Sequence, residues 1–261
     1  MNTKSFAGVL VVVSVAVGGC AKPAGDASKS AGVAIDTIQT PTGTFEADNA
    51  SGAFGGYDTN RNASSGFTNT GGGTGGSSSA QSLHVLSNTV QGSACREGAT
   101  CACDGGGSYT YERQSTDYGP ALQATFDDCI LSSGTGFSGD MVLLASDKPL
   151  LKSDQLLEDS TADGKSAVLA AQGTFTVQSK TIDASVVLLS ERGVDYLAVD
   201  VPDGRLVIGR RSSDGLAVVY AKDTTWVCKP DANVSYACEE QNSGKTMEVA
   251  TTGSTPSGSK S

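Results

Sequence analysis

The second half of the chain consists of short runs in which polar and apolar residues alternate, separated by residues typical of turns. From residue 174 onward the connections between these runs are only two to five residues long, as at 190–193, 202–204 and 212–215. Neighbouring parallel strands need a crossover of a dozen residues or more, so connections this short allow only antiparallel pairing. The pattern predicts an all-β domain built as an antiparallel meander, either barrel-like or a sandwich, and periodicity does not choose between the two.

The predicted domain occupies residues 93–250, long enough to bury about two-thirds of the surface that its unfolded chain would expose. Eleven strands are expected within it, at residues 108–113, 122–127, 139–145, 167–178, 182–189, 194–201, 205–210, 216–221, 224–229, 234–239 and 246–250. An Asp-Gly pair, as at 203–204 and 214–215, supplies the positive backbone angle that tight hairpin turns require.

The first twenty residues have the order of an export signal. Lys4 supplies a positive start, residues 6–17 are an apolar run, and Val17-Gly18-Gly19 places small residues directly before Cys20. The run is too short for a transmembrane helix, which needs about 20 apolar residues. An ordinary secretory signal is the alternative, but its cleavage site prefers an Ala-x-Ala pattern.

This order resembles the precursor of a bacterial lipoprotein, in which an aliphatic and two small residues precede a cysteine that is acylated. The resemblance implies that residues 1–19 are removed as a signal peptide and that Cys20 carries the lipid anchor in a membrane of the bacterial envelope. Ala21, where an Asp would favour inner-membrane retention in that family, implies the outer membrane, facing the periplasm or the surface. Residues 95–139 contain a Cys-x-Cys motif at 101–103, a glycine-rich turn at 104–107, a strand ending in Phe126-Asp127-Asp128-Cys129, and Gly139. This pattern resembles uncharacterised Cys- and Gly-rich proteobacterial lipoproteins, and the likeness implies no function.

Residues 20–92 are rich in Gly, Ser, Thr, Asn and Ala, most of all at 71–79. Such a composition offers little apolar surface to offset the entropy of ordering the chain. We therefore expect a disordered, lipid-anchored tether with a mean span of about 45–50 Å, which would hold the domain clear of the membrane. Residues 251–261 are expected to be a disordered tail.

The chain is acidic, with 28 Asp and Glu against 18 Lys and Arg and a formal charge of −10. Without basic clusters, this charge argues against nucleic acid as a partner and against binding to anionic lipid headgroups.

The six remaining cysteines indicate a disulfide framework, because an even number is typical of exported chains. A zinc site is the alternative, but the spacings Cys95-x5-Cys101-x-Cys103 do not match the usual separation of zinc ligands. Cys228 and Cys238 flank a hairpin turn, so facing strands would bring their sulfurs together. We expect Cys103 to pair with Cys129, joining two strands, and Cys95 with Cys101.

Trp226 and Tyr236 each precede one cysteine of the Cys228–Cys238 hairpin by two residues and so share its face of the sheet. An aromatic pair packed over a disulfide is one interpretation. An exposed aromatic platform that binds sugars is the other.

The sequence offers little for catalysis. The sole histidine, His84, lies in the presumed tether, where it cannot be held against a nucleophile, and oxidised or acylated cysteines cannot serve as one. Asp127 and Asp128 are adjacent, so on a strand they would point to opposite faces. No metal or cofactor motif is present, and we expect none to bind.

These observations favour a non-enzymatic binding or structural module, anchored to a membrane by lipid, whose partner is an envelope protein or glycan. One alternative is an envelope hydrolase acting on glycan or peptide through carboxylates that only the fold brings together. Another is a carrier of apolar ligands, which needs a wide, apolar, hollow barrel.

Overall fold

A computed structural model describes residues 26–64, 90, 95–130, 136–152, 157, 165–177, 180–232 and 234–250. In chain order these residues form helices α1 (Ala27–Gln39) and α2 (Ala47–Ser64), followed by strands β1 (Cys101–Ala102), β2 (Ser108–Thr116), β3 (Gly119–Ile130), β4 (Gly136–Ser146), β5 (Ser166–Val177), β6 (Lys180–Glu191), β7 (Val194–Val201), β8 (Gly204–Arg211), β9 (Ala217–Tyr220), β10 (Thr225–Asp231), β11 (Ser235–Glu240) and β12 (Thr246–Val249). The expected signal peptide, Cys20, His84 and the expected tail lie outside the described residues.

All twelve strands belong to one sheet, and their order in the sheet is their order in the chain. Every neighbouring pair is antiparallel. The predicted antiparallel meander is therefore confirmed. The sheet does not close, so β1 and β12 are its two edges. The sequence left open whether the meander forms a barrel or a sandwich, and the structure shows a single open sheet.

The eleven predicted strands correspond to β2–β12, and the two-residue β1 was missed. The tight turns fold as their sequences predict. Between β6 and β7, Arg192 and Gly193 both have positive φ angles, 50° and 74°. Two consecutive positive φ angles are what a two-residue hairpin of the favoured handedness requires.

One face of the sheet carries a continuous row of large apolar side chains, here called the leucine row. Each member lies directly opposite the next on the neighbouring strand, and all are buried. The row runs from β3 to β10 through Leu122, Leu143, Leu169, Leu188, Leu197, Ile208, Val219 and Trp226. Because side chains alternate along a strand, the residues between these form a second apolar layer on the opposite face.

Helix α1 covers part of that opposite face. Its buried residues recur at the spacing of one helical face, and they pack on strand residues such as Val168, Leu189 and Tyr196. They are Ala27, Ala31, Ala34, Ile35 and Ile38. The helix begins at Asp26, whose Oδ1 accepts hydrogen bonds from the backbone N–H groups of Ser28 and Lys29.

Helix α2 packs on the leucine-row face, where it contacts β7, β8 and β12. Its buried residues Ala50, Ala53, Phe54 and Tyr57 share one helical face. The Tyr57 hydroxyl donates a hydrogen bond of 3.0 Å to the Asp195 carbonyl in β7. The two helices thus cover opposite faces of the same sheet.

The chain passes from one face to the other beside the turn between β7 and β8. The N–H groups of Thr42 and Gly43 donate to the Arg205 carbonyl at 2.9 and 2.8 Å. A Cβ on Gly43 would lie 2.9 Å from the Arg205 nitrogen, so only glycine fits this close approach. Thr44 donates two hydrogen bonds to the Asp203 carboxylate, and these hold the pKa of Asp203 below its usual value.

The prediction of a disordered tether over residues 20–92 is wrong for residues 26–64. The prediction relied on composition, and α1 and α2 are made mostly of small residues that carry little apolar surface. These helices gain their stability from packing on the sheet rather than from their own propensity. The described helices include none that is both long and apolar enough to cross a membrane.

Candidate functional site

Three disulfides brace the sheet, with the predicted pairings Cys95–Cys101, Cys103–Cys129 and Cys228–Cys238. Cys228 and Cys238 lie directly opposite each other in β10 and β11, with 3.9 Å between their Cα atoms. The second bridge joins the segment after β1 to β3, and the first closes a small loop before β1. Two of the three therefore lie at the β1–β3 end and one near the opposite edge.

Trp226 and Tyr236 lie beside the Cys228–Cys238 bridge, but neither is an exposed platform. They are only 2 % and 4 % exposed. Phe54 of α2 stacks on Tyr236 with 4.4 Å between ring centroids, and Phe45 meets Trp226 edge-on at 5.5 Å. The prediction of an exposed sugar-binding surface is wrong, and the alternative of aromatic packing over a disulfide is correct.

An ion pair holds α2 against this aromatic cluster, and two cations lie over its rings. The Arg210 guanidinium in β8 lies 2.9 Å from the Asp58 carboxylate of α2 and 5.8 Å from the centre of the Tyr236 ring. The ammonium group of Lys245 lies 5.9 Å from the centre of the Trp226 ring. The Arg210–Asp58 pair joins the helix to the sheet, and the two cation–ring contacts lie within the sheet region, so the cluster is a structural core.

A cavity of about 550 Å³ opens on the leucine-row face near the turn between β2 and β3. Neighbouring positions on four strands build it: Leu122 and Leu143 are directly opposite each other, as are Ala145 and Ala167. The lining is mainly apolar. Its volume lies within the range of about 300–1,000 Å³ that is usual for small-molecule sites.

Polar groups stand at the rim of this cavity. The Arg113 guanidinium lies 3.4 Å from the Glu97 carboxylate and 5.4 Å from the centre of the Tyr111 ring. Gln114 also lines the cavity, and its Oε1 accepts a hydrogen bond of 3.1 Å from the backbone N–H of Ala27 at the start of α1. The Gln114 side chain points to the α1 face, so the cavity and the beginning of α1 approach this residue of β2 from opposite faces of the sheet.

A second, more polar groove of about 780 Å³ runs along β10–β12. Val227, Ala237 and Glu239 contribute to it from the face opposite the aromatic cluster. It lies beside the open edge of the sheet.

Glu191 is the most deeply buried carboxylate among the described residues, with 1 % of its surface exposed. Its Oε2 accepts hydrogen bonds from the Leu150 N–H at 2.7 Å and the Ser166 hydroxyl at 2.8 Å, while Oε1 has no hydrogen-bond partner in the described part of the chain. Gln39 of α1 donates to the Leu150 carbonyl at 2.7 Å. Glu191 thus fixes the segment after β4, which is also bonded to α1.

The adjacent carboxylates Asp127 and Asp128 lie at an irregularity in β3, between Phe126 and Cys129. Asp128 has a positive φ of 46°, and its carboxylate accepts a hydrogen bond of 2.8 Å from the Ser138 hydroxyl. Within the described ranges, no three His, Cys, Asp or Glu side chains gather in a way that could hold a metal ion.

Sequence reasoning found the disulfides and missed the cavity. Neither Leu122 nor Ala145 differs in the sequence from any other inward-facing strand residue, and only the register of four strands brings the lining together. No protein-family model, curated protein or solved structure matches the chain.

Proposed function

We propose that this protein is a lipid-anchored lipoprotein of the bacterial envelope whose β domain is a non-enzymatic binding module. The cavity lined by Leu122, Leu143, Ala145 and Ala167 carries the binding part of this proposal. It is a concave, mainly apolar site with few polar groups, which is the usual form of a site for a small ligand.

The three disulfides support a location outside the cytosol, because such bonds persist in oxidising compartments. The sequence of residues 1–20 supports the lipid anchor, with Cys20 as the acylated residue. Ala21 supports the outer membrane as the location. Several acyl chains on one residue anchor firmly, since each buried CH₂ contributes about 0.8 kcal/mol.

Two observations favour binding over hydrolysis. The deeply buried Glu191 is engaged in holding a backbone segment, and Asp128 is bound to Ser138 on the neighbouring strand. The cavity itself presents Arg113 at its rim and no carboxylate among its lining residues. Of the alternatives, the cavity favours a carrier of apolar ligands, although the open sheet does not form the hollow barrel expected of one.

The anchor is tested by substituting Cys20 with alanine in the full-length precursor. The native protein should sediment with membranes, and C20A should appear in the soluble fraction, because it has no acceptor for the acyl groups. The double variant C228A/C238A is the matched control: it also loses cysteines, but it should stay with the membranes. Unchanged sedimentation of C20A would refute the anchor.

A further inference from the structure

We propose that the cavity on the leucine-row face holds an acyl chain of a phospholipid from the membrane in which the protein is anchored. This inference rests on the proposed function and deepens it, since it names the ligand of the binding module. Three observations support it: the chemistry of the cavity, the short segment that joins the proposed anchor to α1, and the apolar side chains exposed at the same end of the molecule.

The cavity has the chemistry of an amphiphile site. Leu122, Leu143 and Ala145 offer an apolar interior suited to a hydrocarbon chain, and Arg113 is the only charged side chain among the described residues that line it. An Arg side chain is well suited to phosphate because its planar guanidinium presents paired donors. Arg113 is exposed, and so is its ion pair with Glu97. Exposed pairs of this kind contribute little, so the guanidinium can turn to a headgroup at small cost.

The segment between Cys20 and α1 is short, so it keeps this end of the sheet near the bilayer. Only six Cα–Cα steps separate Cys20 from Asp26, and fully extended they span no more than about 22 Å. Helix α1 begins at Ala27, whose N–H is bonded to Gln114 in the cavity lining. The cavity opens on the other face of the sheet but at the same end of β2, so a protein lipidated at Cys20 carries this end of the sheet close to the membrane surface.

Apolar side chains are exposed at this same end of the molecule. The described residues include three exposed large hydrophobic side chains, and two of them are Val33, 61 % exposed, and Tyr118, 37 % exposed. They lie near each other, because a Cβ on the neighbouring Gly32 would be 3.3 Å from the Tyr118 hydroxyl. Tyrosine, with an apolar ring and a polar hydroxyl group, is typical of a membrane interface. This end of the protein is therefore suited to face lipid.

The test uses the full-length lipidated protein reconstituted in vesicles of phosphatidylethanolamine and phosphatidylglycerol, with a trace of phosphatidylglycerol that carries a diazirine in its acyl chain. After irradiation, mass spectrometry locates the crosslinks. We expect them on the cavity lining, at Leu122, Leu143 or Ala167. In the variant A145W, whose indole fills the cavity, these crosslinks should be lost. In R113Q they should become fewer, because the lipid phosphate loses its guanidinium partner.

The matched control is A102W, which places the same side chain at an exposed alanine in β1, away from the cavity. It should be labelled like the native protein. Crosslinks confined to other surfaces, no crosslinks at all, or lining crosslinks that survive in A145W would overturn the proposal. Sedimentation with the vesicles is read separately, so an anchored protein with an unlabelled cavity refutes the lipid site and leaves the lipoprotein proposal intact. A protein that does not sediment counts against both.

Discussion

Phe54→Ala should lower the free energy of unfolding by about 3–5 kcal/mol, the usual cost of removing a fully buried aromatic side chain. Phe54 is completely buried, stacks on Tyr236 and meets Phe45 edge-on. Its loss would leave a void between α2 and the disulfide-linked hairpin of β10 and β11.

Urea denaturation followed by tryptophan fluorescence measures this effect. Trp226 is the single tryptophan of the chain and packs against Phe45, so its emission reports directly on the aromatic cluster. Val33→Ala, at an exposed position of α1, is the control and should change the stability by no more than about 0.5 kcal/mol. If Phe54→Ala had an equally small effect, α2 would not be packed on the sheet.

The double substitution Cys103→Ala and Cys129→Ala should be the most damaging of the three disulfide removals. The loop-entropy relation gives about 3.5 kcal/mol for the 26 residues that separate these cysteines. It gives about 2.7 kcal/mol for the separation of 10 at Cys228–Cys238 and about 2.2 kcal/mol for the separation of 6 at Cys95–Cys101.

Each paired removal is measured by urea denaturation under non-reducing conditions, and the other two pairs serve as matched controls for the loss of two cysteines. The expected order of destabilisation follows the size of the closed loop. A smaller loss for Cys103–Cys129 than for Cys95–Cys101 would contradict this account of how the disulfides stabilise the sheet.

The strands could be predicted from the sequence because their determinants are local. The turn at Arg192 and Gly193 needs only its own two residues, and the facing positions of Cys228 and Cys238 follow from one hairpin. The helices could not be found in this way. Ala27, Ala31 and Ile35 do lie on one helical face, which was a usable signal, but helices so poor in large apolar residues need the sheet in order to form.

The candidate site also has parts that local sequence predicts and parts that it does not. The three disulfide pairings were predicted from spacing and turn residues. The burial of Trp226 and Tyr236 was not, because the rings that cover them, Phe45 and Phe54, come from a distant part of the chain whose composition suggested disorder. The cavity depends on the register of β2–β5, which no single segment of sequence encodes.

The central claim is that residues 26–64 are part of the folded domain, which places the sheet and its cavity directly after the proposed anchor. Hydrogen–deuterium exchange of the full-length protein, read by mass spectrometry, tests it most directly. Peptides covering Ala31–Ile38 and Ala53–Tyr57 should exchange as slowly as those of β3 and β8, because their amides lie in helices packed on the sheet. Complete exchange of both peptides within seconds, at the rate of an unstructured chain, would contradict the account.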